Sequence, residues 1–368
     1  MPDVLIYADT LRSPELRHEV PVEIGDSFVY AERDGVRHVF VGSLELERLR
    51  GIDGLDVAPL EDLGLDELVA SGGSFREIER ELVLRACRRL GVAEAVTPFE
   101  FPLDVADHLR AAGVELRPDG ELFDARRRAK TPGEIEGVRR AQRACERAMD
   151  AIREGLRSGP GVTCEELREG ALAAFNRAGV IALDLPIVSH GAQTAVGHEA
   201  GSGAVAEGEP VVVDLFPKDH VTGCFADMTR TFCLGEAPAE LVEWHRLSLQ
   251  ALELAVSAVR PGVKGSDLHK AVCALFERHG YPTQLSKPPG EILDSGFFHS
   301  LGHGVGLEVH EAPWLGRLGH DPLVPGDVLA IEPGLYRPGF GGCRLEDLVL
   351  VTDDGCEVLA GYPYDLRP

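Results

Sequence analysis

The sequence predicts an α+β chain in two parts: a smaller α/β domain over residues 1–125 and, over residues 126–368, a larger domain built from two related halves. Each half supplies helices and part of an antiparallel sheet. Three observations predict this. Short apolar runs alternate with helix-like stretches up to about residue 125, a helix-start signal stands at Thr131, and the chain beyond it resembles itself at an offset of 101 residues. A length of 368 residues accommodates two cores of this kind.

In the first part, the apolar runs Val4 to Ala8, Phe28 to Ala31 and His38 to Val41 read as strands. Ser74 to Leu90 and Leu103 to Ala112 read as helices, and Val114 to Arg117 as a late strand. No catalytic constellation is visible there. The second part opens at Lys130-Thr131-Pro132-Gly133-Glu134, where Thr131 is placed to cap a helix, Pro132 suits the first helical position and Glu134 completes a capping box. Apolar residues then recur at Ile135, Val138, Cys145, Met149, Ile152 and Leu156, a stripe that must pack against a large surface.

The internal repeat aligns residues 161–180 with 262–281, with identities at Gly161/Gly262, Val162/Val263, Leu167/Leu268, Phe175/Phe276 and Gly179/Gly280. Each copy is followed by an apolar strand ending in an acid, with a second acid at nearly the same interval. The first strand runs from Glu209 to Asp214, with Asp227 thirteen residues on; the second runs from Asp327 to Glu332, with Glu346 fourteen on. An acid at the inner end of a core strand is costly unless a cation or hydrogen-bond donors compensate it, so four of them suggest a metal. Between the two units, His299-Ser-Leu-Gly-His303-Gly-Val-Gly-Leu-Glu-Val-His310 offers a nitrogen ligand and further imidazoles for proton transfer.

Composition excludes several classes. The 61 acidic residues against 37 basic ones give a net charge of −24, and no basic run extends beyond Arg126-Arg127-Arg128, which argues against a nucleic-acid or anionic-membrane surface. The N-terminal residues lack the features of a secretory signal, and no stretch reaches the roughly 18 apolar residues of a membrane span. The expectation is a cytoplasmic protein whose eight cysteines, none in a Cys-x-x-Cys pair, are reduced core residues.

These motifs together resemble the creatinase/aminopeptidase superfamily with the pita-bread fold, and within it the Xaa-Pro peptidases, prolidase and aminopeptidase P. The resemblance rests on Asp214 with Ala226-Asp227-Met-Thr-Arg-Thr-Phe232, on Gly302-His303-Gly-Val-Gly-Leu-Glu-Val-His310-Glu, on Ile331-Glu332-Pro-Gly334 and on Arg344-Leu-Glu346-Asp. It spans nearly the whole chain and implies a creatinase-like N-terminal domain ahead of a pita-bread catalytic domain. It also implies that Asp214, Asp227, His303, Glu332 and Glu346 hold two divalent metals, with Asp227 and Glu346 bridging. One imidazole among many oxygens favours Mn²⁺, with Co²⁺ or Zn²⁺ as alternatives. Two ions about 3.5–4 Å apart would share a water, lower its pKa from 15.7 toward about 7 and present hydroxide to a polarised carbonyl.

By the same resemblance, His198 contacts the substrate or departing amide and His310 matches a second histidine that is not a ligand. Both are expected to stabilise the tetrahedral intermediate and to assist proton transfer. Arg344 would contact the proline part of the substrate and, two residues before Glu346, would share its face on a strand. His299 belongs to the same stretch, either supporting the ligands or as a structural histidine. Gly302, Gly304 and Gly306 would let backbone approach metal or substrate, and Thr229 and Thr231 share parity with Asp227 and would orient it. The chain departs from many relatives in carrying Asp214-Leu-Phe216 and Gly223-Cys-Phe-Ala-Asp227, and Pro217-Lys-Asp-His220 lengthens the connecting turn. Turns absorb such insertions, so ligation should survive.

The expected activity is hydrolysis of the bond between an N-terminal residue and proline, in dipeptides or longer peptides, by a homodimer. That bond is a tertiary amide of restricted geometry, poorly handled by peptidases that need strand-like pairing. A methionine aminopeptidase shares the five ligands, but the extra N-terminal domain and the Arg344-Leu-Glu346 pattern argue against it. Creatinase lacks the metal set retained here. A catalytically silent binding protein of the same fold is the third reading, and it would be expected to have lost ligands.

Overall fold

The computed structural model describes residues 2–368, which form two compact units, one up to Arg127 and one from Arg128 to Pro368. In the first, strands β1 (Val4–Ala8), β2 (Phe28–Arg33), β3 (Val36–Val41), β4 (Leu55–Pro59), β5 (Glu94–Thr97) and β6 (Glu115–Pro118) form a mixed sheet in the order β4-β3-β2-β1-β5-β6. Strand alternation sorts its side chains onto two faces. Leu5, Tyr7, Val29 and Ala31 pack on one side with Val83 and Cys87 of helix α1 (Phe75–Leu90) and Val105 and Leu109 of α2 (Leu103–Ala111). Val4, Ile6, Phe28 and Tyr30 pack on the other with Leu16 and Val20.

The second unit begins with α3 (Pro132–Arg157). Its capping box is formed: the Thr131 hydroxyl accepts from the Glu134 amide at 3.2 Å and the Thr131 amide donates to Glu134 Oε2 at 2.7 Å. Val138, Cys145, Met149, Ile152 and Leu156 are fully buried along one stripe, against α4 (Cys164–Ala178) and the first lobe's strands. Those strands are β7 (Val180–Ile181), β8 (Ile187–His190), β9 (Pro210–Leu215), β10 (Lys218–Asp219) and β11 (Met228–Cys233). The second lobe repeats the pattern with α5 (Ala239–Ala258) and α6 (Gly265–Arg278), the latter starting 101 residues after α4. Its strands are β12 (Gly302–Gly304), β13 (Glu311–Leu315), β14 (Val328–Ile331), β15 (Gly334–Arg337), β16 (Gly341–Arg344), β17 (Asp347–Val351) and β18 (Cys356–Val358). Every pairing between these strands of the second unit is antiparallel.

The strand–acid units become paired neighbours in the sheets of the two lobes, β9 with β11 in the order β11-β9-β8 and β14 with β17 in the order β13-β12-β14-β17-β18. The lengthened segment after Asp214 is ordered as β10, which pairs with β7; Asp219 there receives a bidentate bond from Arg140 at 3.0 and 2.8 Å and caps Thr222. The insertion is therefore a short hairpin-like edge, not a plain turn. All eight cysteines are free thiols, seven of them buried. No helix among the described residues is long and apolar enough to cross a membrane.

The glycines of β12 correct one expectation. A Cβ on Gly302 would lie 1.9 Å from the Ala330 carbonyl oxygen, and one on Gly304 would lie 2.3 Å from that of Ala312. Their bareness admits the neighbouring strands β14 and β13, not a metal or substrate. Gly306 makes room for the Glu311 carboxylate and the Lys130 chain, which form a buried ion pair at 2.6 Å. Gly304→Ala is expected to lower stability by about 1–3 kcal/mol, the usual cost of overpacking, without changing metal stoichiometry in the protein that remains folded. Urea unfolding with metal analysis checks both.

Candidate metal centre

Both lobes send their acids to one cavity of about 350 Å³, lined by Asp214, Asp227, His303, Glu332 and Glu346 together with His198, His310 and Arg344. Asp214 stands near the end of β9 and Asp227 immediately before β11, strands paired in register with Thr229 opposite Asp214. His303 is the middle residue of β12, Glu332 follows β14, and Glu346 sits between β16 and β17. All eight residues assigned from the sequence to metal binding or catalysis thus meet in one place, and His299 lines it too.

Distances and protonation define what this place can hold. Ligand-type atoms of Asp227, His303 and Glu346 all lie within 4.8 Å of one another. His303 Nδ1 is 3.1 Å from the Gly304 carbonyl oxygen, so it carries the proton and donates; Nε2 then presents a lone pair. That lone pair faces Asp227 Oδ2 and Glu332 Oε1, each at 3.9 Å, too far for a hydrogen bond and suited to a shared cation. Burial, aided by the nearby His310 ring, pushes the His303 pKa down to about 3, which keeps it a neutral ligand.

The carboxylates make the same case. Burial first, then repulsion by Glu346, Asp214 and Glu332, raises Asp227 well above the ordinary range. Glu346 is raised likewise by burial and by Asp214 and Glu332, and burial pushes Glu332 up to about 7 against the opposing pull of Arg344. Asp214 Oδ1 and Asp227 Oδ1 are buried without a hydrogen-bond partner. Oxygens left unbonded in a low-dielectric pocket of like charge fit divalent cations, which would ionise all four acids at once.

Surrounding groups fix the acids from the opposite lobe. The Thr229 hydroxyl donates to Glu346 Oε2 at 2.6 Å and accepts from Arg344 Nε at 3.2 Å. Thr231 accepts from the Arg344 amide at 3.0 Å and donates to its carbonyl at 2.8 Å. The two threonines therefore position Glu346 and Arg344, where parity alone pointed to Asp227. Arg344 and Glu346 both line the cavity, yet they are not on one continuous strand: β16 ends at Arg344 and the Leu345 amide turns to the Pro333 carbonyl. Arg344 Nη2 donates to Asp214 Oδ2 at 2.6 Å.

The histidines divide by environment. His299 Nδ1 lies 2.7 Å from the Ser300 carbonyl and Nε2 lies 3.0 Å from the Tyr336 hydroxyl, so the ring donates to the carbonyl and accepts from tyrosine. Burial and then Arg344 push its pKa down to about 3. His310 stacks edge-on against His303 with ring centroids 4.2 Å apart; partial burial and neighbouring His198 push it toward the neutral form. His198 is exposed at the cavity wall, and among the described residues its ring makes no hydrogen bond within the protein. Sequence reading missed Tyr336, whose hydroxyl joins His299 to Arg344 Nη1 at 3.3 Å, and the cavity residues Val196, Gly197 and Phe298. Tyr336 carried one usable signal, its even spacing from Glu332 past Gly334 toward the same face.

Comparison with known proteins agrees with this geometry. Residues 136–353 match metallopeptidase family M24. The chain is 31% identical over 276 residues to the "Probable dipeptidase PepE" of Mycobacterium tuberculosis, covering 75% of this chain and 70% of that protein. It is 33% identical over 247 residues to the "Xaa-Pro dipeptidase" of Pyrococcus furiosus, covering 67% and 66%. Among solved structures, the prolidase from Pyrococcus furiosus superposes with a TM-score of 0.78 at 23% identity, covering 99% of this chain and 97% of that one. The X-Pro aminopeptidase from Thermotoga maritima gives 0.81 at 23%, with the same coverage. The chain belongs to metallopeptidase family M24. Its architecture is the pita-bread fold shared with these structures, preceded by an α/β domain.

Proposed function

We propose that the chain hydrolyses the amide bond between an N-terminal residue and a following proline in small peptides. In this reading Asp214, Asp227, His303, Glu332 and Glu346 would hold two divalent ions, Mn²⁺ before Co²⁺ or Zn²⁺, with Asp227 and Glu346 contributing to both. The observation that carries it is the convergence of four acids and one neutral imidazole nitrogen on a single cavity, with two acid oxygens left unbonded. When bound, the ions supply an activated water and polarise the scissile carbonyl. The Pyrococcus furiosus relative named an Xaa-Pro dipeptidase supports the substrate class.

The chain's own groups do the rest. His198 and His310 flank the cavity, where an imidazole N–H can donate to the developing oxyanion and pass a proton to the departing proline nitrogen. Arg344 donates to Thr229, Gly197, Tyr336 and Asp214, which occupies four of its five N–H groups. The fifth, on Nη2, is the donor proposed for the carbonyl or carboxylate on the proline side. A homodimer in the cytoplasm completes the reading, supported by the family resemblance and by eight free thiols.

The test is an assay of Ala-Pro beside Ala-Pro-Ala after the metal is stripped and Mn²⁺, Co²⁺ or Zn²⁺ is restored separately. Turnover of either peptide, lost on stripping and regained with Mn²⁺, is expected. Cleavage of Met-Ala with neither proline peptide touched would favour the methionine aminopeptidase reading, and bound metal without any turnover the binding protein.

A further inference from the structure

We infer that Arg168, on α4 and outside the cavity, is the positioning residue that holds the His198 loop in its working place. The inference rests on the role proposed above for His198. That side chain has no hydrogen bond of its own within the protein among the described residues, so its place is set by the backbone that carries it. The backbone forms a turn in which the Glu199 amide donates to the Val196 carbonyl at 3.0 Å.

The turn is anchored most heavily just after His198. Arg168 is buried, and its Nε donates to the Pro186 carbonyl at 2.9 Å while Nη2 donates to the carbonyls of Ala200 and, at 2.8 Å, Gly201. One guanidinium thus ties the entry of β8 to the residues two and three positions past His198. Gly201 allows this close return: its φ is +82°, and a Cβ there would lie 2.1 Å from the Val188 carbonyl oxygen. The Ala200 carbonyl also accepts from the Val188 amide at 3.0 Å, so Arg168 clamps a point where loop and strand already meet. Gln193 grips Ser202 farther along, by its amide and its carbonyl at 2.9 Å each, and Arg344 Nη1 holds the Gly197 carbonyl on the other side at 3.4 Å, which leaves Arg168 as the cation that anchors the stretch after the histidine. A planar fork reaching three carbonyls cannot be replaced by an ammonium, and a shift of about 1 Å in a reacting group costs on the order of 100-fold in rate.

The experiment is a double-mutant cycle on the full-length Mn²⁺-loaded protein with Ala-Pro and Ala-Pro-Ala, comparing Arg168→Met, His198→Ala and the pair, with Arg168→Lys as the milder variant should the first fail to fold. Arg168→Met is expected to lower kcat/KM by about 10- to 100-fold through kcat, with Arg168→Lys in between and metal content unchanged. In the His198→Ala background the same change should matter by no more than about twofold, because its effect has already been removed. An equal loss in both backgrounds, or loss of bound metal, overturns the inference. A His198→Ala protein as active as its parent would instead remove the role of His198 and this inference with it, while parent turnover would leave the Xaa-Pro reading standing.

Discussion

Asp227→Ala or Glu346→Ala is expected to abolish turnover, by about 1,000-fold or more, which corresponds to ~4 kcal/mol of transition-state stabilisation. Each acid lies within 4.8 Å of the other two members of the Asp227–His303–Glu346 group, and each is proposed to serve both ions, so losing one should empty the site and not merely weaken it. Stability should move the other way. Asp227 and Glu346 are forced toward their protonated forms by burial and mutual repulsion, so deleting one relieves its neighbours when no cation is present. Metal analysis, kinetics and melting after chelation read all three quantities. Retained turnover in either variant would contradict the bridging roles, and a metal-free variant less stable than the metal-free parent would contradict the repulsion argument.

Stripping the metal should produce a protein that loses stability as pH rises, the reverse of the usual behaviour of buried acids held in ion pairs. The sign follows from the direction of the shifts. Glu332 moves from an ordinary value of 4.5 to about 7, and Asp227 and Glu346 also move up, so the folded metal-free chain binds more protons than the unfolded chain across that window. Stability is then greatest below the ordinary carboxylate range and falls as pH climbs through about 7. Several degrees of melting temperature are expected, since ~1 kcal/mol moves Tm by about 2–4 °C in a domain of this size. With divalent cations bound the acids stay ionised and the decline should vanish. Thermal melts of chelated and reloaded protein across this range check it; a chelated protein that grows more stable with rising pH would show that the acids are compensated without metal.

What could be read in the sequence was what short-range chemistry dictates. The Thr131–Glu134 box is local, as is the stripe from Val138 to Leu156, and both occur in the structure. The paired strand–acid units were legible because an acid closing an apolar run is anomalous on its own. Relations across the fold were not legible. Parity gave Thr229 and Thr231 to Asp227, their neighbour in sequence, while the structure joins them to Arg344 and Thr229 also to Glu346, more than a hundred residues away. The bare positions at Gly302 and Gly304 were visible, but only strand register says that β14 and β13 fill them. Tyr336 was overlooked because a lone aromatic residue in a strand looks like core, and its hydroxyl acquires meaning only beside His299 and Arg344.

The division of the acids between two lobes has a consequence for assembly. Asp214 and Asp227 belong to one half and His303, Glu332 and Glu346 to the other, and direct bonds such as Arg344 to Asp214 already stitch the halves together. Neither half alone carries the whole donor set. Capture of the ions would therefore report that the duplicated pieces have docked, so that metal uptake doubles as a gauge of assembly of the whole catalytic body.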